Sequence, residues 1–353
     1  MTGTVPERIE RVLVRATNWI GDAVMTTPAL TAVRATFPQA AIVLLANPLV
    51  AQLFAHHPAV DRVIVFDRKG QHGGLMGRLR LANQLRRERF DLALILPNSF
   101  DSALIPWLAG IPQRLGKASD GRSLLLSGRY DEPLSGKPLH EVGYYLELVR
   151  YFGIAGGEAV PRLFTTPEED ACAGAVLTAR GYGGRPLLGI NAGASFGSAK
   201  RWYPERFAET ARCLVDEWGA DVLLFGGPDE VPLVAEIEQG LSGKCLNLAG
   251  RTTVRELMAL IKRCSFFITN DSGPMHIAAA FGVPLVAIFG PTDHAGTAPF
   301  TELAAVVRSP VDCAPCKLRT CPTDHACMRG VTVNQVLEAA RTVRKAGGCK
   351  ELP

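Results

Sequence analysis

The sequence predicts an α/β fold made of two Rossmann-like β/α/β domains facing each other across a cleft. Three observations predict it. Short aliphatic, β-branched runs alternate with helix-length amphipathic segments along the whole chain, the pattern of βαβ units on a parallel sheet. Runs such as Ile42-Val43-Leu44-Leu45 are apolar on both faces, as strands covered by helices on both sides must be. The alternation breaks once, over residues 155–166, where adjacent glycines, Pro161 and polar residues read as a linker, and then restarts. A chain of 353 residues suits two domains of about 100–200 residues each.

In order, the first half carries strands at Val12–Arg15, Ala41–Leu45, Arg62–Phe66 and Asp91–Leu96. Helices follow from the 3.6-residue apolar spacing around Met25–Phe37, Leu75–Arg89, Ser102–Ala109 and Val142–Phe152. The second half repeats the theme, with strands at Leu187–Ile190, Asp221–Phe225, Phe266–Thr269 and Leu285–Phe289. Its helices are Glu205–Trp218, Val231–Gln239, Val254–Lys262 and Met275–Phe281, and Asn334–Ala346 closes the chain. The expected domains are therefore 1–160 and 161–332, with a helix and tail at 333–353. In open α/β sheets ligands bind at the carboxyl ends of strands, so the site is expected in the cleft between the two.

Composition narrows the class. Hydrophobic residues make up 47% and charged residues 20%, enough apolar surface for two cores and unlike a disordered chain. Apolar runs such as Leu92–Leu96 stop well short of the roughly 20 residues a membrane span needs. Met1–Glu10 carries acids and lacks the order of a signal peptide, so the cytoplasm is the expected compartment. The net charge of +4 is uneven: residues 62–89 hold eight bases against two acids. Such an excess suits an anionic partner, or simply a solvated helix face.

The most informative turn is Asn270-Asp271-Ser272-Gly273 after the strand at Phe266. Pro274 suits the first helical turn, where its missing N–H costs nothing. Asp271 or Ser272 can cap the free amides, and Gly273 lets a ligand approach the backbone. A helix N-terminus offers N–H groups and partial positive charge to a phosphate. The alternative is an ordinary capped turn. His276 adds a second donor one turn in.

The stretch Phe281-Gly282-Val283-Pro284 through Phe289-Gly290-Pro291-Thr292-Asp293 resembles the signature of the ADP-heptose:lipopolysaccharide heptosyltransferases, glycosyltransferase family 9. The resemblance extends over nearly the whole chain. Asn18-Trp19-Ile20-Gly21-Asp22 is similar to the family's first strand-to-helix loop. Leu96-Pro97-Asn98-Ser99, Ala109-Gly110-Ile111-Pro112 and Gly193–Trp202 resemble its heptosyltransferase II branch in particular. The resemblance implies a GT-B fold, ADP-heptose as donor and a lipid A-core acceptor, heptosyl-Kdo2-lipid A, at the inner membrane face. It implies neither a cofactor nor a nucleic-acid partner.

Sugar transfer from a nucleoside diphosphate needs a base for the acceptor hydroxyl, neutralisation of the leaving diphosphate, and alignment away from water. The resemblance places the base at Asp22; read from residues alone, Asp22 equally caps a helix from Ala23. Lys200, with the helix N-terminus at Ser272–Gly273, is expected to meet the diphosphate as a point charge, with a solvated lysine as the alternative and Arg201 as a competitor. The resemblance also places Ser195 and Phe196 at the donor, Glu230 at the ribose hydroxyls and Thr252 near the adenine. Glu230 could instead answer a helix dipole, and Asp229 could exchange roles with it. No Asp-x-Asp triplet occurs, so a metal-independent transfer is expected, with Lys200 and the helix dipole in place of a cation. For the acceptor, Arg68, Lys69, Arg114, Lys117 and Arg122 could meet acidic sugars and headgroups, and Asn98 and Ser99 could hydrogen-bond it.

Nine cysteines are present. Cys172, Cys213, Cys245, Cys264 and Cys349 are scattered, and most of them read as buried thiols. Cys313, Cys316, Cys321 and Cys327 are clustered; a structural loop is preferred, and a zinc site fits the spacing only loosely. Three functions remain open from sequence: this transferase, a relative with another core acceptor, or a non-catalytic sugar-nucleotide or lipopolysaccharide-binding protein; a nucleotide-sugar epimerase is possible by fold alone but disfavoured by the motif set.

Overall fold

β1 (Arg11–Arg15) lies inside a six-stranded parallel sheet, hydrogen-bonded to β2 (Ala41–Ala46) on one side and β4 (Leu92–Ile95) on the other. These three central strands are almost wholly buried, as their two-sided apolar sequences require. β3 (Arg62–Val65), β5 (Gln113–Lys117) and β6 (Gly128–Tyr130) complete the order β3-β2-β1-β4-β5-β6. The computed structural model describes residues 9–131, 139–182, 184–242 and 245–347.

The second sheet repeats this order. Its strands are β7 (Leu187–Asn191), β8 (Asp221–Phe225), β9 (Leu246–Asn247), β10 (Phe266–Asn270), β11 (Leu285–Phe289) and β12 (Ala304–Arg308). They run β12-β11-β10-β7-β8-β9, all pairings parallel. The chain folds as two compact units, Met1–Phe164 and Thr165–Pro353. Each is a doubly wound Rossmann-like unit, the building block of the GT-B class, with helices on both faces of the sheet.

β5, β6, β9 and β12 are not among the predicted strands. β5 carries Arg114, Gly116 and Lys117, and β6 and β9 are only three and two residues long. Their pairing comes from the backbone of a neighbouring strand, which leaves little trace in side-chain pattern. The closing helix Val333–Ala346 packs on β11, β12 and the helix Pro204–Trp218, so it belongs to the second unit. Thr332 caps it in a capping box with Gln335.

The core of the second unit gathers Trp202, Phe207, Ile268 and Ile288 with Val336 and Ala340 of the closing helix. That of the first unit gathers Leu13, Leu45, Leu81, Phe90 and Ile95.

Candidate functional site

In each sheet the strand order reverses at one place, between β1 and β4 and between β7 and β10. Loops leaving such neighbouring strands in opposite directions open a crevice, where doubly wound sheets hold ligands. The segments carrying Asp22, Asn98, Lys200 and Asp271 leave these four strands.

At the second switch point, Asn270 is the last residue of β10 and not part of the turn. It is fully buried. Its Nδ2 donates to the Ala192 carbonyl at 2.6 Å, and its Oδ1 accepts the Trp202 N–H at 3.1 Å. It thereby ties both ends of the 192–202 loop, which leaves β7, to the end of β10. Trp202 anchors that loop in the core, its indole N–H donating to the Val331 carbonyl at 3.0 Å.

Asp271 is buried, and one carboxylate oxygen meets two partners. Lys200 Nζ lies 2.6 Å away, and Thr292 Oγ1 donates at 2.6 Å. Neither Asp271 nor Ser272 takes up the capping role open to them. Ser272 is the N-cap of the helix Gly273–Ala280 but makes no capping bond. Its hydroxyl pairs with Thr269 Oγ1 at 3.0 Å and accepts from Asn191 Nδ2 at 3.2 Å. The first amides of that helix thus have no side-chain cap from Ser272, the geometry in which a helix N-terminus holds an anion. His276 is buried one turn in. Thr292 was not singled out from sequence; the signal was a hydroxyl just after β11.

Lys200 also lies over the Phe196 ring, 5.0 Å from its centroid, so the two predicted donor residues touch. Ser195 beside them is exposed. Glu230 is buried, accepts the Gly227 N–H at 2.8 Å, and faces Arg201 at 4.0 Å. A Cβ at Gly193 would clash with its carboxylate, so Glu230 lies flat against the backbone leaving β7. Thr252 is half-buried just before the helix Val254–Lys262.

At the first switch point, the helix begins at Ile20, because Ala23 N–H already bonds the Trp19 carbonyl at 2.9 Å. Asp22 is therefore the third helical residue and not the cap expected for a helix from Ala23. It is half-buried, and its charge helps raise the pKa of the Tyr145 phenol, whose main cause is burial. Arg15, buried at the end of β1, donates to the Ala16 carbonyl at 2.6 Å and to Asn18 Oδ1 at 2.9 Å. Burial lowers its pKa to about 10, so it remains a cation. Its place at the end of a core strand carries no sequence signal that separates it from ordinary core.

The expected acceptor residues divide. Asn98 and Ser99 are exposed at the end of β4, and Arg68 and Lys69 are exposed after β3. Asn98 Oδ1 accepts from Tyr144 at 3.3 Å. Arg122 is a correction: it is wholly buried and donates to the carbonyls of Lys117 (2.8 Å) and Pro97 and to Ser102 Oγ (2.9 Å). It pins the Pro97–Ser99 turn and presents no open face to an acceptor. Arg114, half-buried, is the second residue of β5, away from the carboxyl edge, and donates to the carbonyls of Leu125, Ile111 and Pro112.

The carboxyl edge of the first sheet has one further property. Trp19 follows β1, Leu49 follows β2, Leu75 and Met76 follow β3, Phe100 follows β4 and Leu124 follows β5, and all six are exposed. Large apolar side chains concentrated on one edge are characteristic of an interaction surface.

Among the described residues no group of three or more His, Cys, Asp or Glu is arranged to hold a metal. Eight cysteines are free thiols, with Cys313 and Cys316 exposed and Cys327 buried; of the scattered ones Cys245 and Cys264 are buried, whereas Cys172 and Cys213 are exposed, against expectation; Cys349 lies outside the described residues. No described helix is long and apolar enough to cross a membrane.

The family profile described as glycosyltransferase family 9 (heptosyltransferase) matches residues 78–327. Lipopolysaccharide heptosyltransferase 2 of Salmonella typhimurium is 35% identical, over 84% of this chain and 88% of its own. Lipooligosaccharide heptosyltransferase 2 of Campylobacter jejuni is 33% identical over 95% and 98%. The solved structure of the E. coli ADP-heptose lps heptosyltransferase II superposes with a TM-score of 0.76 at 31% identity, covering 94% and 98% of the two chains. A glycosyl transferase family 9 structure from Veillonella parvula superposes at 0.87 and 24% identity, covering 96% and 98%, which supports the fold. With a profile across most of its length and relatives matched nearly end to end, the chain belongs to glycosyltransferase family 9, the heptosyltransferases.

Proposed function

We propose that this enzyme is an inverting, metal-independent transferase of the heptosyltransferase II kind. It moves heptose from ADP-L-glycero-D-manno-heptose onto heptosyl-Kdo2-lipid A at the cytoplasmic face of the inner membrane. The first unit takes the acceptor and the second the sugar nucleotide. The observation that carries this reading is the second switch point. There Lys200, Asp271 and Thr292 close on one another beside an N-terminus that its N-cap side chain leaves uncapped.

In the reaction the acceptor hydroxyl attacks the anomeric carbon on the face opposite the ADP. The new C–O bond forms as the bond to the diphosphate breaks, and the electron pair leaves on the diphosphate. Asp22 takes the hydroxyl proton. Lys200 and the amides at Gly273 stabilise the growing negative charge. Glu230, Thr252, Ser195, Phe196 and His276 bind the rest of the donor. Asn98, Ser99, Arg68 and Lys69 meet the acceptor, and Arg122 acts indirectly by holding the Pro97–Ser99 turn. The apolar rim with its neighbouring bases suits an acceptor that is a lipid with an anionic head.

The test is incubation of ADP-heptose with core acceptors of graded length, followed by product mass. ADP release and gain of one heptose are expected only when the acceptor already carries one heptose on Kdo2-lipid A. Transfer to a different core acceptor would place the enzyme elsewhere in the family. Donor binding with no ADP release on any acceptor would make it a binding protein.

A further inference from the structure

The ionic groups of the donor site cancel. Lys200 is paired with Asp271, and Arg201 faces Glu230. The diphosphate of a leaving ADP carries more than one negative charge, and a helix N-terminus supplies only about half a positive one. Without a divalent cation, a site of these four residues would have no surplus cation to match it.

Arg319 is a further cation beside this group. It lies on the cysteine-bearing segment after β12, and its guanidinium is 5.3 Å from the centroid of Phe196, the ring that Lys200 also covers. Its side chain is exposed and forms no ion pair with any described residue. A guanidinium over a ring keeps its fork of N–H groups available for a bidentate anion contact.

The backbone fixes this placement. Ala199 N–H donates to the Arg319 carbonyl at 3.0 Å, and a Cβ at Gly197 would clash with that carbonyl. His325 Nε2 bonds the Ala199 carbonyl at 2.7 Å, and Lys317 N–H donates to the Pro291 carbonyl at 2.7 Å. The segment is thus tied to the loop bearing Lys200 and to the loop bearing Thr292, the two partners of Asp271.

We propose that Arg319 is a donor-binding residue that contacts the diphosphate, and that the segment carrying Cys313, Cys316, Cys321 and Cys327 is the brace that presents it. The proposal rests on reading the Lys200–Asp271 cluster as the diphosphate site.

The experiment compares ADP and adenosine binding by calorimetry for the wild type, Arg319→Ala, Arg319→Lys and Lys200→Ala, with donor and acceptor KM alongside. Arg319→Ala is expected to weaken ADP binding about ten- to a hundredfold, the value of a charged hydrogen bond. Adenosine affinity and acceptor KM stay at wild-type values, and Arg319→Lys recovers part of the loss. A purely structural role would disturb adenosine as well. ADP affinity in Arg319→Ala within twofold of wild type, while Lys200→Ala weakens it, overturns the proposal and leaves the diphosphate site standing. If the wild type does not prefer ADP over adenosine, the diphosphate site and this proposal fall together.

Discussion

Asn270 and Asp271 are neighbours with different duties. Asn270 spends both ends of its amide on the Ala192 carbonyl and the Trp202 N–H, all out of water. Asn270→Ala leaves two buried backbone groups unpaired, at about 1–3 kcal/mol each. Urea unfolding should show a matching fall in midpoint; an unchanged midpoint would mean that the loop relaxes around the loss. Asp22 carries a different expectation. Removing a general base costs roughly 10²–10⁴ in rate. Asp22→Asn keeps the size of the side chain, so kcat should fall by that factor with little change in donor KM. Near-wild-type turnover would remove Asp22 from the role of base.

Helices hold the site by their ends. The capping boxes at Thr166, Thr253 and Thr332 close the starts of three helices in the second unit, each with both reciprocal bonds present. The helix Gly273–Ala280 lacks this closure, and it is the one that points at the proposed diphosphate. The closing helix is coupled to the core through Val336 and Ala340. Thr332→Ala should therefore cost about 1 kcal/mol, read as a lower melting temperature with ADP affinity unchanged. An altered ADP affinity would show that the helix start reaches the donor site.

Across the whole molecule, charge and exposed apolar surface gather in the first unit. Of the eight bases in residues 62–89, Arg62 pairs with Glu88 and Arg78 with Asp101, whereas Arg68 and Lys69 remain exposed beside the apolar rim. The protein is expected to co-sediment with vesicles containing anionic lipid and not with neutral ones, and to be released as salt rises and the Debye length shrinks. Equal binding to both vesicle types would leave only the apolar rim as the contact.

Stability should also depend on pH through His57. It is buried against Phe54 and Phe164, with Nδ1 accepting the Ala59 N–H. Burial lowers its pKa from 6.5 to about 4. Since the folded value lies below the unfolded one, its contribution is complete above pH 6.5 and is lost as pH falls towards 4. The difference corresponds to about 3 kcal/mol. The stability advantage of the wild type over His57→Asn should shrink across that window; an advantage independent of pH would refute this.

The alternation of two-sided apolar strands with amphipathic helices was enough to determine two doubly wound units, because burial on both faces leaves a parallel sheet as the natural solution. It did not determine the edge strands β5, β6, β9 and β12, whose pairing is supplied by a neighbour's backbone. Residue chemistry marked Lys200 and Asp271, since charged groups after core-forming strands are uncommon, whereas Glu230 was marked only by the family resemblance. Only the tertiary structure decided which of them meet. It paired Lys200 with Asp271, brought Thr292 and Arg319 beside them from loops distant in sequence, and tied the guanidinium groups of the half-buried Arg114 and the buried Arg122 to backbone carbonyls. An arginine in a sequence shows its charge, whereas whether that charge faces solvent or pins a turn depends on which carbonyls the fold brings within its reach.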